Sequence, residues 1–380
     1  MRIAVNTRLL LKGKLEGIGW FAFETLKRIT RNHPEHQFIF IFDRPFSKDF
    51  IFSENITPVV VGPPARHPFL FYLWFDFQIP RILKKYNADL FLSPDGYLSL
   101  RTKVPQLAVI HDISFAHRPG DIPAMKRWYY NYFFPKFSRI ADRIATVSNY
   151  SKTDFVQTYR VDAEKIDVVY DGCNENFRPF SNEEQRQIRE KFTSGTPYFL
   201  FVGALHPRKN VNGLLKAFDS FKSNSGRPEK LLIVGGKMHK TGEISETWQK
   251  MQFKNDVVFT GRVSQEELFG IYAAALALTF VPFFEGFGIP ILEAMSAGVP
   301  VICSNTTSMP EVGGNAVLYA DPGKTEQITA AMQKIATDEG LREELVSKGF
   351  EQKRKFNWDE TARLLWMSVE RALQDIDNLK

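Results

Sequence analysis

Short apolar runs recur along this chain, each continuous rather than alternating with polar residues. They fall at 3–5, 38–42, 59–61, 90–92, 107–110, 144–147 and 168–170, then at 199–202, 231–234, 257–259, 276–281, 301–302 and 317–319. A strand with one face in water alternates, whereas a strand covered on both faces reads as an unbroken apolar run. Stretches of helical character separate the runs. Strands alternating with helices form α/β folds with doubly wound parallel sheets, and there are enough runs here for two sheets. At 380 residues the chain is also too long for one ordinary core, so two or three domains are expected. The boundary is expected in the turn-rich stretch 171–179, Asp-Gly-Cys-Asn-Glu-Asn-Phe-Arg-Pro.

Local signals place several helix starts. Ser181 with Glu184, and Ser264 with Glu267, have capping-box spacing. Asn210 reads as the N-cap of a helix over 211–218. Residues 358–379 read as one amphipathic helix, with Asp375-Ile376-Asp377 on its surface.

Charge narrows the partners. The net charge is +6, but no basic cluster sits on a recognisable nucleic-acid module, so no nucleic-acid partner is expected. Basic and aromatic residues do mix at 66–85 and at 126–143. Such stretches suit either a helix lying on an anionic bilayer or an amphipathic helix packed on a sheet. No apolar run reaches membrane-spanning length. The first residues read directly as a strand, so no signal peptide is expected. Cys173 and Cys303 have no metal spacing and fall in different predicted domains. A reduced compartment, the cytoplasm, fits them.

The chemistry concentrates in Phe284-Glu285-Gly286-Phe287-Gly288-Ile289-Pro290-Ile291-Leu292-Glu293-Ala294-Met295. It follows a predicted buried strand and opens a helix. Glycines permit a tight turn close to a ligand, and Pro290 suits a first helical turn. The free amides at the helix start form an anion site. Glu285 lies before the turn and Glu293 about one turn into the helix, so the two carboxylates can face one ligand from two sides. A sugar nucleotide, with hydroxyls at both ends and phosphates between, would use all of this. After the run 199–202 come Arg208 and Lys209, directly before Asn210. Cations at a helix start oppose the macrodipole, and a bound anion would remove the conflict.

The 284–295 segment resembles the E-x7-E signature of retaining glycosyltransferase family 4, continued by Ala297-Gly298-Val299-Pro300 and Met309-Pro310-Glu311-Val312. That family has GT-B architecture: two Rossmann-like, doubly wound domains facing a cleft, with a C-terminal helix crossing back to the first. The resemblance implies an acceptor-side domain over 1–171, a donor-binding domain over 172–357 and the returning helix over 358–380. Loops after strands then line the site. Arg208 and Lys209 resemble the family's diphosphate clamp, although Ala204 stands where the family often has an additional Arg. Glu16-Gly17-Ile18-Gly19-Trp20 resembles its first Gly-rich loop, opening a helix to residue 29, with Gly17 and Gly19 near the diphosphate. In 110–115, His111 would line the donor sugar and Asp112 would orient it or touch the acceptor. Asp95 and Ser148 are further acceptor candidates. Val234-Gly235-Gly236-Lys237 and Thr260-Gly261-Arg262-Val263 end successive strands, and the resemblance places Arg262 and Val263 by the nucleotide base.

The resemblance thus implies a retaining hexosyltransferase using a nucleotide diphosphate sugar, GDP-mannose by likeness to the mannosyltransferase-like branch that builds surface polysaccharides. Glu293 would hold the ribose and Glu285 the donor sugar. Arg208, Lys209 and the amides of Gly286, Phe287, Gly288 and Ile289 would hold the departing diphosphate. The acceptor would be a saccharide or a lipid-linked saccharide. No strand ends in Asp-x-Asp, so no cofactor and no metal are expected. A glycosidase also uses paired carboxylates but has no need of the cations. A nicotinamide enzyme would need Gly-x-Gly-x-x-Gly close after its first strand. A non-catalytic sugar-nucleotide-binding subunit is the remaining alternative. The positive balance and the 126–143 block further imply docking to the inner membrane face.

Overall fold

The computed structural model describes residues 1–236 and 242–377, the last three of these in backbone alone. Lys237, and the side chains of Asp375, Ile376 and Asp377, lie outside the described residues. The chain divides into two compact units, Met1–Gly172 with the segment from Trp358 onward, and Cys173–Asn357.

The first unit is built on β1 (Arg2–Asn6), β2 (Gln37–Phe42), β3 (Ile56–Val60), β4 (Leu90–Ser93), β5 (Gln106–Val109), β6 (Arg143–Thr146) and β7 (Ile166–Val168). They pair in parallel in the order 3-2-1-4-5-6-7. Central β1 is buried on both faces, which is why Ile3, Ala4 and Val5 form an unbroken apolar run. Edge strand β3 carries Pro58, whose missing N–H is tolerated only where a ladder bond can be spared.

Aromatic residues fill one face of this sheet. Phe71, Trp74 and Phe75 come from the helix Pro68–Leu73 and the π-helical turn Trp74–Gln78. Tyr129, Phe133, Phe134 and Phe137 come from the helix Ala124–Ile140, and all seven join the core containing Ala4, Ile39, Phe91 and Ile144. Each fully buried side chain of this size stabilises by about 1.5–3 kcal/mol. The basic-aromatic stretches 66–85 and 126–143 are therefore both divided between core and surface, with Phe69, Trp128 and Tyr132 exposed. Elsewhere in this unit the helix Gly17–Asn32 meets the C-terminal helix Trp358–Asp377. Phe21 stands edge-on to Trp358 and Arg28 Nε donates to Asp359 at 2.5 Å.

The second unit is built on β8 (Tyr198–Val202), β9 (Lys230–Val234), β10 (Val257–Gly261), β11 (Ala277–Phe280), β12 (Val301–Ser304) and β13 (Leu318–Ala320). They too are parallel, in the order 10-9-8-11-12-13. Both expected capping boxes are present, Ser181 with Glu184 and Ser264 with Glu267. In each sheet the winding reverses once, between β1 and β4 and between β8 and β11. Loops leaving a reversal point diverge and open a crevice beyond the strands' carboxyl ends.

Candidate functional site

In the second unit the two loops at the reversal point carry the residues singled out from the sequence. After β8 the chain makes a short 3-10 turn, Pro207–Lys209, and after β11 it runs through Glu285. Phe283 N–H donates to Arg208 O at 2.8 Å and joins the loops. Arg208 Nη1 donates to Phe284 O at 3.0 Å and to Glu285 Oε1 at 2.8 Å. The Lys209 ammonium pairs with the same Glu285 oxygen and lies 5.0 Å from the Phe280 ring centroid. The anion that the two cations require is thus supplied within the chain, by a nearly buried carboxylate 76 residues from Lys209.

Asn210 corrects the helix assignment. It precedes the helix Val211–Ser225 in the N-cap position, but it is left-handed at φ 58° and its side chain makes no cap. Its amide instead donates to Val281 O at 3.1 Å and Pro322 O at 2.8 Å. Buried carbonyls at the ends of β11 and β13 need donors, and one Asn side chain serves both.

The helix Ile289–Ser296 begins at Gly288, whose φ of 116° favours glycine. A Cβ there would lie 2.6 Å from Met309 Cε. The turn is held from behind by Ser308, whose hydroxyl reaches Glu285 O at 3.0 Å and Phe287 O at 2.9 Å. Thr307, left-handed at φ 58° and unusual for a β-branched residue, turns the chain so that Ser308 points there. Phe287 is buried edge-on to Phe356. Glu293, on the fifth residue of the helix, is half-buried and accepts from Tyr272 Oη at 2.6 Å. Burial pushes its carboxyl up to about 7, against the opposing effect of the Tyr272 bond.

Three glycines bring the ends of β8, β9 and β10 together. Gly203 N–H donates to Val234 O and Gly235 N–H to Gly261 O, both at 2.9 Å. A Cβ on Gly235, at φ 151°, would sit 1.8 Å from Gly203 O. Arg262 follows β10 and is exposed, and Val263 is half-buried.

The first unit's candidates lie beyond β1, β4, β5 and β6. His111 Nε2 donates to Pro94 O at 3.1 Å and its ring stands edge-on to Phe21. A carbonyl only accepts, so the proton is on Nε2 and Nδ1 carries the lone pair. Burial lowers the ring's pKa and keeps it neutral. Asp112 Oδ1 accepts from Ser114 N–H at 2.8 Å, closing its own turn. Gly17 opens the helix Gly17–Asn32, which runs three residues past the expected end, and a Cβ on Gly19 would lie 3.1 Å from Leu9 O.

Two acceptor candidates take part in local networks. Asp95 is buried and paired with Arg8 Nε at 2.6 Å, while Asn6 Nδ2 and Ser93 Oγ also donate to it. Ser148 is fully buried, and its hydroxyl caps the helix Asn149–Tyr159 by accepting from Ser151 N–H at 3.0 Å. Both side chains hold their own loops.

Sequence reasoning passed over Arg8, Tyr272 and Ser308. Arg8 follows β1 and meets Asp95 after β4, under Phe71, Phe75 and Tyr97 at 4.5–5.8 Å. Each unit therefore joins its two reversal-point loops by a cation–carboxylate pair. No local pattern marks partners so far apart in sequence.

Comparison with known proteins agrees with this geometry. A Glycosyltransferase Family 4 model matches residues 16–177, and a model of glycosyl transferases group 1 matches 182–352. O-antigen chain mannosyltransferase B of Escherichia coli is 32% identical over 281 residues, 73% of each chain. O-antigen chain mannosyltransferase RfbU of Salmonella typhimurium is 29% identical over 282 residues, 74% of each. Among solved structures, Anabaena HepE in complex with UDP-glucose has a TM-score of 0.73 at 16% identity, over 97% of this chain and 99% of that one. Two parallel-sheet units with this likeness define a GT-B α/β protein. The chain belongs to glycosyltransferase family 4, and it is a glycosyltransferase.

Proposed function

We propose that the chain is a retaining, metal-independent hexosyltransferase. It moves mannose from GDP-mannose to a saccharide or lipid-linked saccharide during surface-polysaccharide biosynthesis. The observation that carries this reading is the convergence of Arg208 and Lys209 on Glu285, beside the start of the helix Ile289–Ser296. Preorganised cations and amides stabilise a leaving diphosphate as its charge grows. Likeness to the two O-antigen mannosyltransferases supports the sugar and the pathway. The nucleotide-sugar complex of HepE supports the kind of donor.

In this reading Glu293 accepts from the ribose hydroxyls, and Gly286 to Ile289 offer amides to the phosphates. Arg262 and Val263 flank the base. Glu285 turns from the cations toward the sugar hydroxyls once the diphosphate neutralises them. His111, neutral with a free lone pair on Nδ1, accepts from a sugar hydroxyl. The acceptor oxygen forms the new glycosidic bond as the sugar–phosphate bond breaks. Its proton passes to the departing phosphate oxygen, so no protein base is needed. Two cations stand where a metal would otherwise act.

The protein would work at the cytosolic face of the membrane. Among the described residues no helix is long and apolar enough to cross it. Trp128, Tyr132 and Lys136 share one side of their helix, and Trp128 and Tyr132 are exposed, with Lys136 over the Tyr132 ring. Such a face suits the interface of an anionic leaflet.

Transfer assays with GDP-mannose, UDP-glucose and ADP-glucose, with the product's anomer read by NMR, test the proposal. Retention of the α-configuration from GDP-mannose is expected. An inverted product, or transfer from none of the donors to any saccharide acceptor, would refute it.

A further inference from the structure

We propose that the turn carrying His33, Glu35 and His36 binds a divalent transition cation, with Zn2+ suited to its donors. The turn connects the helix Gly17–Asn32 to β2 in the first unit and plays no part in the donor chemistry above. Two imidazoles and one carboxylate form a donor set that zinc commonly takes, with water completing a tetrahedron. One ligand atom from each residue lies within 4.8 Å of the others. Glu35 Oε1 is 3.2 Å from His36 Nε2 and 3.5 Å from His33 Nδ1. Ligands at zinc bond lengths near 2.1 Å stand about 3.4 Å apart in a tetrahedron, so two of the three edges are already of the right length.

The surroundings hold the turn in place. Asn55 Nδ2 donates to Thr30 O, His33 O and His36 O at 3.0, 3.1 and 3.0 Å. Trp366 stacks on His33 at 3.7 Å and 18°, and on His36 at 5.2 Å and 25°. Its own Nε1 donates to Glu370 at 2.9 Å. Ring planes and backbone are therefore set before a cation arrives, which reduces the ordering cost of binding. One contact opposes it. His36 Nδ1 lies 3.3 Å from the Met1 amine, and ligation through Nε2 makes Nδ1 a donor, so the amine must give way. Because Trp366 belongs to the C-terminal helix, the cation would brace that helix against the rest of the first unit.

Calorimetric titration of the untagged, chelator-stripped full chain with ZnCl2 tests this, with Trp fluorescence under Co2+ as a second reading. One equivalent per chain is expected, with Co2+ quenching Trp366. Glu35→Gln and His36→Gln should each weaken Zn2+ by at least about tenfold. Glu35 is 59% exposed, so Glu35→Gln removes a ligand without disturbing packing even if His36→Gln fails to fold. Absence of a stoichiometric site in the wild type, or undiminished affinity in Glu35→Gln, would overturn the proposal.

Discussion

Replacing Glu285 by Gln separates two roles of one carboxylate. In the ligand-free unit it pairs with both Arg208 and Lys209. A charge-assisted hydrogen bond is worth about 1.5–3 kcal/mol and a neutral one about 0.5–1.5. Gln leaves both cations a neutral acceptor, so the two weakened bonds cost at most about 2–3 kcal/mol. The side chains retain 11–24% exposure, so solvent screening lowers the net to about 2 kcal/mol. For a unit of this size that is a fall in Tm of about 4–8 °C. GDP brings its own anion to the two cations, so the loss should be recovered on binding. Glu285→Gln should then bind GDP at least as tightly as the wild type, and up to about tenfold more tightly. Turnover should nevertheless fall, because the sugar hydroxyls lose their acceptor. Calorimetry with GDP, scanning calorimetry and a transfer assay read the three quantities. An unchanged Tm, or GDP affinity reduced tenfold in Glu285→Gln, would refute the reasoning, since Glu285 would then hold the nucleotide rather than the cations.

Glu293 has a raised pKa, so its contribution to stability is full below the ordinary carboxyl pKa and is lost as pH rises through about 7. GDP affinity should increase over the same window, because ribose hydroxyls donate to the ionised form; titrations at pH 5.5 to 8 check this, and a flat profile would count against the Glu293 assignment. Lys209→Ala should weaken GDP far more than guanosine, whereas an equal loss for both would make Lys209 a folding residue. Gly235→Ala should lower stability by at least about 2 kcal/mol, since backbone strain adds to the collision with the Gly203 carbonyl; an unaltered denaturation midpoint would show that the three strand ends yield easily. Transfer should survive EDTA, while the chelator's effect on Tm would come from the His33–His36 turn. Trp128→Ser with Tyr132→Ser should abolish co-sedimentation with anionic liposomes at low salt, and wild type that does not sediment would leave no membrane role.

Features written within a few residues were legible before the structure. The apolar runs marked most strands of both sheets, but the run at 168–170 meets β7 only at Val168, since Asp167 interrupts that strand, and Ser181-x-x-Glu184 capped a helix as its spacing requires. Asn210 shows where such reading stops. Its position was right, but its amide went to carbonyls 71 and 112 residues away. Arg208, Lys209 and Glu285 were each singled out, yet their pairing was not, because it depends on β8 and β11 being neighbours. The loop partners of Asp95 and Ser148 were not legible, because a polar residue after a strand has the same signature whether it serves a ligand or its own loop. Tyr272, in a helix of ordinary composition, gave no sign that it would meet Glu293.

The first unit is discontinuous in sequence. Its last helix, Trp358–Asp377, supplies Trp358 to Phe21, Asp359 to Arg28, and a Thr361 hydroxyl to Tyr170 O at 2.7 Å. On the ribosome the strands β1 to β7 are made first, but this helix emerges only after the whole second unit. At roughly 5–20 residues per second, the roughly 185 residues of Cys173–Asn357 delay it by some ten to forty seconds. During that interval Phe21 lacks Trp358 and Arg28 lacks Asp359, so part of the face of Gly17–Asn32 stays open to self-association. The second unit closes on itself within one stretch of chain and can fold while the first waits. A stop codon near residue 357 would therefore damage the half of the protein that had been finished longest.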